Sequence, residues 1–338
     1  MRTISHINRR GETTPAGKIE GRQIRGSTAF RATRAFTLVE VIVVMGLLLL
    51  IVTALMAVFS NTQRAFRSSI TQSDILENGR ATMEMIAQDL RGMTPSYGYS
   101  EGTNNALLLA NDNCAVNFFA TNNSIFYAPL TQQLIGADNG AQHTNLLEYF
   151  FILGRQNTSW IGTGYIVNTY TASSSSLYPL YRFTAQTNIE NNPLGLFYDF
   201  QREIVSDQWT NMSHLMDGVV GLTVRAFDTN GVWLTNGYNF SLGQSNVLKN
   251  TWFTPPYPGP GGEVGFTFYS NAVPASVQIE MATLEDRTLQ RAESLGISTL
   301  SDYTNVPALW NYLSGHANAV HIFRQRVSIS LVDPTAYQ

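Results

Sequence analysis

Charged residues and cysteine are both scarce in this sequence. Asp, Glu, Lys and Arg make up 13% of the 338 residues, which is about half of their share in an average globular protein. The formal net charge of −3 argues against a generally basic nucleic-acid-binding protein. The single cysteine, Cys114, excludes an internal disulfide framework and a zinc site made of several cysteines. Hydrophobic residues make up 44%, which is enough for a large core.

The motifs of the common catalytic classes are also missing. The sequence has no Gly-x-Ser-x-Gly, no phosphate-binding loop that ends in Lys-Ser/Thr and no His-Glu-x-x-His. His316 and His321 have a spacing that suits joint metal binding neither on a strand nor on a helix. Residues 111–113 and 228–230 offer side-chain oxygens, but they lack the alternating spacing of a calcium loop. We therefore expect a protein that is not an enzyme and that has no catalytic residue, no cofactor and no metal site.

Charge is distributed unevenly along the chain. Residues 1–35 carry a net charge of +6, whereas residues 36–338 carry −9. Shortly after the basic segment, residues 41–59 form an apolar run without a charge. As a helix, a run of this length measures about 28 Å, close to the thickness of the hydrocarbon core of a bilayer. The positive-inside rule then keeps residues 1–35 in the cytoplasm as a leader and exports everything after the run.

Three kinds of segment combine a basic flank with an apolar run. A cleaved secretory signal peptide has a shorter core of about 7–15 residues, followed by small residues, which residues 60–63 do not supply. A signal anchor fits both the length and the flank. The third kind depends on the residues just before the run, which read Arg34-Ala35-Phe36-Thr37-Leu38-Val39-Glu40. These residues resemble the prepilin cleavage and methylation motif of type IV pilins and type II secretion pseudopilins.

The resemblance implies a processing site and an assembly residue. A prepilin peptidase would cut between Ala35, which stands where the family usually has Gly, and Phe36, whose new amine would be methylated. Glu40 would become the fifth mature residue, which in the family lies near the N-terminal amine of a neighbouring subunit. An ionised carboxylate at the edge of a lipid-facing helix is costly without a partner. Glu40 therefore favours the pilin-like interpretation over a plain anchor, in which it would snorkel to the headgroups.

The helix is predicted to continue well beyond the membrane. No proline occurs between residue 36 and Pro95, so one helix over 36–93 is expected. Gly46 and Gly79 weaken it without ending it. Its second half carries an apolar stripe one face wide, which we expect to pack on the exported head. The stripe consists of Leu76, Met83, Ile86, Leu90 and Met93.

Residues 78–91, which end in Asp89-Leu90-Arg91, resemble one particular class of pilin-like proteins. They are similar to the second half of the long helix in J-type minor pseudopilins and W-type minor pilins. Residues 216–228, Trp233 and residues 273–281 resemble the heads of the same proteins. They also resemble a secretion-associated group known as Verru_Chthon cassette protein C, in which an acidic and then helical stretch like 284–287 follows.

After Pro95 the hydrophobic pattern changes from helical to strand-like. Short runs rich in β-branched and aromatic residues predict strands. They lie at 106–110, 115–127, 146–153, 161–170, 177–183, 219–227, 232–240, 264–269, 277–282 and 321–331. Asn230-Gly231 predicts a hairpin in which both central residues have a positive φ. Two short helices are expected, at 284–295 and near 307–313.

These observations predict an α+β fold in which a long N-terminal helix packs on an antiparallel sheet. The expected regions are a leader over 1–35, a membrane-spanning part over 36–60 and an exported head over 61–338. The resemblance implies a structural minor pseudopilin at the tip of a type II secretion-like pseudopilus, held in the inner membrane with its head in the periplasm. Its expected partners are other pilin-like subunits, prepilin peptidase and membrane lipid, but no nucleic acid. A minor pilin of a type IV pilus and a signal-anchored ligand-binding protein remain as alternatives.

Overall fold

The structure is a computed structural model that describes residues 37–96, 115–122, 130–133, 142–168, 178–206, 211–234, 250–253, 264–295, 312 and 315–337. The chain divides into two compact units, Met1–Asn61 and Thr62–Gln338. The fold class is α+β, as predicted, with a long N-terminal helix followed by antiparallel sheets and shorter helices.

Helix α1 spans Leu38–Arg91 as one element of 54 residues, close to the predicted 36–93. Neither Gly46 nor Gly79 interrupts it, because a single glycine costs a helix only about 1 kcal/mol. The helix ends four residues before Pro95, whose ring cannot continue a helix. In the N-terminal unit every described side chain is exposed.

The second unit contains three antiparallel sheets. One has seven strands in the order β7-β6-β5-β4-β1-β10-β9, one has three in the order β12-β11-β8, and one pairs β2 with β3. The strands are β1 (Val116–Asn122), β2 (Leu130–Gln133), β3 (Gln142–Asn145), β4 (Glu148–Gln156), β5 (Ser159–Val167), β6 (Leu180–Asn188), β7 (Met212–Met216), β8 (Val219–Phe227), β9 (Thr251–Phe253), β10 (Phe266–Tyr269), β11 (Ser276–Leu284) and β12 (Val320–Ser328). Helix α2 (Leu194–Ser206) lies between β6 and β7 in sequence, and helix α3 (Asp286–Ser294) follows β11. Short 3-10 turns cover Ala317–Ala319 and Pro334–Tyr337.

The central strands β1, β4, β5 and β10 of the seven-stranded sheet are largely buried on both faces, and successive residues of a strand point to opposite sides. In β4, Phe150 belongs to the same apolar cluster as Ile86 and Leu90 of α1. Its neighbour Phe151 belongs to a second cluster with Phe200 of α2. Helix α1 therefore covers one face of this sheet and α2 covers the other.

The apolar stripe of α1 needs one correction. Four of its five predicted residues are buried, but Leu76 is 44% exposed and Ile75, at 4% exposed, is buried in its place. Around residues 75 and 76, α1 packs beside β7 and α3, which lie on the side of Ile75. Neighbouring residues point about 100° apart on a helix of 3.6 residues per turn, so the tertiary partner decides which of the two is buried.

Gly79 lies in the same buried face of α1. A Cβ atom at this position would be 2.4 Å from the ring of Phe323 in β12. The glycine therefore allows the helix and the strand to approach closely, which explains its place in the middle of a long helix.

Most predicted strands are present, with ends that differ by a few residues, and β8 has the predicted bounds of Val219–Phe227. Helix α3 corresponds to the helix predicted over 284–295. The hairpin prediction is corrected in one respect: within its turn only Gly231 has a positive φ, of 78°. The Asp228 carboxylate accepts the N–H groups of Asn230 and Val232 at 2.9 and 2.7 Å, which fixes Asn230 with an ordinary negative φ.

Some elements were not predicted, and some predictions cannot be compared. Helix α2 and strands β2, β3, β7 and β9 are additions to the predicted order. The strand predicted at 106–110, the second part of the one at 232–240 and nearly all of the helix predicted near 307–313 lie outside the described residues.

Candidate functional site

The predicted site lies at the start of α1. Ala35 and Phe36 are outside the described residues. Glu40 is described, and it is an exposed residue in the first turn of α1. Its carboxylate therefore stands at the boundary between the basic N-terminal segment and the apolar helix.

Thr37 caps the N-terminus of α1. Its carbonyl oxygen accepts the backbone N–H groups of Glu40 and Val41 at 3.0 and 3.2 Å. Its hydroxyl oxygen also accepts the N–H of Glu40, at 3.3 Å. The spacing Thr-x-x-Glu is that of a capping box, in which Ser or Thr precedes a helix and Glu or Gln occupies its third position.

The position of Glu40 in the first turn of α1, at capping-box spacing from Thr37, offers its side chain a local role that the sequence analysis missed. A carboxylate in the first turn interacts favourably with the positive end of the helix dipole, by about 0.3–1 kcal/mol at an exposed site. The signal was present in the sequence as Thr37-Leu38-Val39-Glu40 ahead of an apolar run. Glu40 therefore has two possible functions, one in helix capping and one in contact with another molecule, and an experiment has to separate them.

From residue 41 to residue 59, the helix that begins at this cap carries no charged side chain on any face. Leu38–Arg67 is the one helical segment, among the described residues, that is long and apolar enough to cross a membrane, and its mean hydropathy is 3.1. None of this window is buried within the protein; Leu49, for example, is 71% exposed. An exposed apolar surface of this size needs an apolar environment, which is consistent with a single-pass membrane anchor.

The Asp89-Leu90-Arg91 motif lies at the other end of α1, and each of its residues has a different environment. Leu90 is fully buried, whereas Arg91 forms an exposed ion pair with Glu84 at 2.9 Å. Asp89 accepts two hydrogen bonds from the guanidinium of Arg182, one from Nε at 2.9 Å and one from a terminal nitrogen at 3.0 Å. This bidentate geometry is the strongest form of an Arg–carboxylate contact.

A tyrosine of β5 completes the contact. The hydroxyl of Tyr165 donates a hydrogen bond of 2.5 Å to Asp89 Oδ2, the oxygen that also accepts the hydrogen bond from Arg182 Nε. Burial, followed by the charge of Asp89, raises the pKa of the Tyr165 phenol, so that it remains a donor. Burial alone would lower the pKa of Arg182, but the hydrogen bond and charge of Asp89 raise it overall. The three side chains fix the end of α1 against β5 and β6.

The other candidate ligands have structural partners. His316 Nδ1 lies 2.7 Å from the carbonyl oxygen of Tyr312, and His321 lies 3.2 Å from the Glu285 carboxylate. Asp228 caps its own turn, as described above. Within the described ranges, no group of three or more His, Cys, Asp or Glu side chains is placed to hold a metal ion. Residues 111–113 and Cys114 fall outside those ranges.

Comparisons with family models, with curated proteins and with solved structures give no match for this chain. The arguments about function therefore depend on the residues described above.

Proposed function

We propose that this chain is a structural minor pseudopilin of a type II secretion-like system, without enzymatic activity. A prepilin peptidase cuts it between Ala35 and Phe36, and the mature subunit joins other pilin-like subunits at the tip of a pseudopilus. The observation that carries the proposal is the position of Glu40. Its carboxylate follows the motif Phe36-Thr37-Leu38-Val39 and lies in the first turn of a helix that is apolar enough to cross a membrane.

In this proposal the basic leader stays in the cytoplasm, α1 passes once through the inner membrane and the head lies in the periplasm. The charge difference between residues 1–35 and the rest of the chain supports this orientation. The Glu40 carboxylate forms an ion pair with the protonated N-terminal amine of a neighbouring subunit. Both ions are then removed from water as a pair, which is far less costly in lipid than either ion alone.

A signal-anchored protein that binds a ligand with its head is the second candidate. The observation in its favour is that Glu40 stands three residues after the capping Thr37 in the first turn of α1. This is the spacing of a capping box, which offers the Glu40 side chain a function without any neighbouring subunit. In that case the chain keeps its basic leader.

The variants Glu40→Gln and Glu40→Ala separate the two functions of this residue. Glutamine retains the hydrogen-bonding capacity of a capping box but has no charge. We expect both variants to be cleaved before Phe36 and to remain in the membrane, yet to lose cross-linking to other pilin-like subunits in the native host. If Glu40→Gln cross-links as well as the wild type while Glu40→Ala does not, Glu40 acts through the cap and the proposed assembly role is wrong.

A further inference from the structure

Strand β12 forms one edge of the three-stranded sheet. It pairs with β11 on one side, and within the described part of the chain no strand pairs with its other side. The central strand β11 is buried along almost its whole length. In contrast, every second residue in the middle of β12 is exposed, and Ile322 is 50% exposed. We call the outer side of residues 320–328 the open edge.

The register between β11 and β12 shows which backbone groups point outwards. Ile329 donates its N–H to the carbonyl of Ala275 at 3.0 Å, and Glu285 donates its N–H to the carbonyl of Ala319 at 2.9 Å. Both pairs continue the register of the two strands. Hydrogen-bonded and non-hydrogen-bonded pairs alternate along an antiparallel ladder, so the odd-numbered residues of β12 bond to β11. The N–H and C=O groups of the even-numbered residues therefore point away from the sheet.

This row of backbone groups fits one kind of partner. An exposed edge strand presents donors and acceptors at the spacing of an extended chain, which can pair with it as an additional strand. The edge is nine residues long, whereas a strand has on average about 5–6 residues. It is therefore long enough to bind a complete strand of another protein.

The exposed side chains of the open edge include two arginines. Arg324 is 60% exposed and pairs with the Glu280 carboxylate of β11. Arg326 is exposed as well. Its Nε donates a hydrogen bond to the hydroxyl of Ser276 at 2.9 Å, and its guanidinium lies 3.8 Å from the centre of the Phe227 ring. Neither contact neutralises the charge of Arg326, but both hold the side chain in place, which lowers the entropy lost on binding an anionic group.

We propose that the open edge binds an extended segment of a different pilin-like subunit, which adds to the sheet as a fourth strand and places a carboxylate beside Arg326. The backbone hydrogen bonds supply the affinity, and the opposite charges form a favourable cross-strand pair. A second copy of this chain is a poorer partner, because pairing two open edges brings their arginines together. The inference rests on the proposed function, since it names the contact through which a minor subunit joins a neighbour of different sequence.

Photo-cross-linking of the full chain in its native host tests the contact. A photoreactive amino acid replaces Ser328, an exposed residue at the end of the open edge, and mass spectrometry identifies the cross-linked peptide. We expect a product with another pilin-like subunit, through a strand-forming peptide that contains Asp or Glu. The matched control carries the photoreactive residue at Val205 on α2, which is 85% exposed, and should not give this product above background.

A proline at position 322 tests whether the backbone of the edge forms the contact. The N–H of Ile322 points away from β11, so Ile322→Pro removes no hydrogen bond of the sheet, and edge strands tolerate proline at such positions. The variant should reduce the cross-linked product about tenfold, because a carbonyl of the partner loses its donor. Ile322→Thr retains the N–H and should leave the product unchanged. Thermal unfolding of both variants should give the same Tm.

Charge reversal tests the contact independently of the proline variant. Arg326→Glu should reduce the product about fivefold, because a favourable cross-strand pair becomes a repulsive one. Lysine in place of the acidic residue of the cross-linked peptide should restore it. Arg155→Glu is the matched control, since Arg155 is also exposed and lies 6.0 Å from the centre of an aromatic ring, that of Trp160, but belongs to β4. This control should not change the product.

Three results would overturn the contact. They are a product that persists in either Ile322→Pro or Arg326→Glu, a product formed with a second copy of this chain, and the absence of any protein product. In the last case the arginines serve to keep the edge from pairing with other strands.

The N-terminus of the same samples separates this inference from the proposed function. Chains that start at Phe36 but give one of these three results refute the contact and leave the proposed function intact. Chains that retain Met1 and give the product that is sensitive to proline and charge support the contact and refute the pseudopilin proposal.

Discussion

Replacing Asp89 with alanine should destabilise the second unit, because it leaves the guanidinium of Arg182 without its bidentate partner. The two side chains are only 18% and 26% exposed, so water replaces the lost hydrogen bonds incompletely. Breaking a buried ion pair by removing one partner costs about 3–5 kcal/mol. The partial exposure places this case near the lower end, at about 3 kcal/mol. For a unit of this size that corresponds to a decrease in Tm of roughly 5 °C.

Thermal unfolding of the full chain in detergent, followed by tryptophan fluorescence, measures this effect. All five tryptophans follow residue 159, so the signal reports the unit Thr62–Gln338 and not the apolar half of α1. Glu84→Ala is the matched control, since it breaks an ion pair on the same helix whose side chains are 53% and 62% exposed. We expect the control to leave Tm unchanged, because water solvates exposed ions well.

A double variant tests the physical reason. Asp89→Ala combined with Arg182→Met removes both charges, so no buried ion remains uncompensated, and replacing a buried pair with apolar residues is often close to neutral. The double variant should therefore be more stable than Asp89→Ala alone. A Tm for Asp89→Ala equal to that of the Glu84→Ala control, or a double variant less stable than the single one, would refute the reasoning.

Three further predictions use the same unfolding assay. Leu90→Asp should unfold the second unit because it places a charge at a fully buried position. Leu76→Asp should be tolerated, because position 76 is 44% exposed. Equal effects of the two substitutions on Tm would contradict the buried face assigned to α1. Gly79→Ala should cost about 1–2 kcal/mol, a cost of the kind seen on overpacking, since its Cβ would lie 2.4 Å from a phenylalanine ring of β12. Gly195→Ala on α2, in the same unit, meets no atom within 4 Å and should be neutral or stabilising. Asp286→Asn should stabilise the unit at pH 7, and this gain should shrink as the pH falls towards 4. Burial and neighbouring carboxylates raise the pKa of Asp286, so its ionised form is unfavourable in the folded state. This penalty disappears once the carboxyl is protonated. A gain that is constant across this pH range would show that charge is not the cause.

The features that sequence predicts well here are those determined by neighbouring residues. Helix α1 follows from the absence of proline between residue 36 and Pro95, and β8 follows from its run of β-branched and aromatic residues between turn signals. Helix α2 was missed although Leu194, Phe197 and Phe200 have helical spacing after an asparagine. The dense cluster of leucine and aromatic residues is equally typical of a strand, and only its packing on the seven-stranded sheet distinguishes the two.

The features that sequence could not predict depend on contacts between distant segments. The motif around Asp89 was recognised, but its partners in β5 and β6 lie 76 and 93 residues further along the chain. The choice between Ile75 and Leu76 as the buried residue depends on β7 and α3. The groove lined by Ile75, Leu215 and Leu289 combines three segments that are far apart in sequence. In contrast, the cap formed by Thr37 is a local motif, and it could have been predicted from the sequence.

The N-terminal residue of the membrane-extracted protein tests the central claim most directly. Mass spectrometry of the native protein should find a first peptide that begins with N-methylated Phe36, with no peptide from residues 1–35. A chain that begins at Met1 or Arg2, in a host with an active prepilin peptidase, would contradict the pilin-like account and favour a plain membrane anchor.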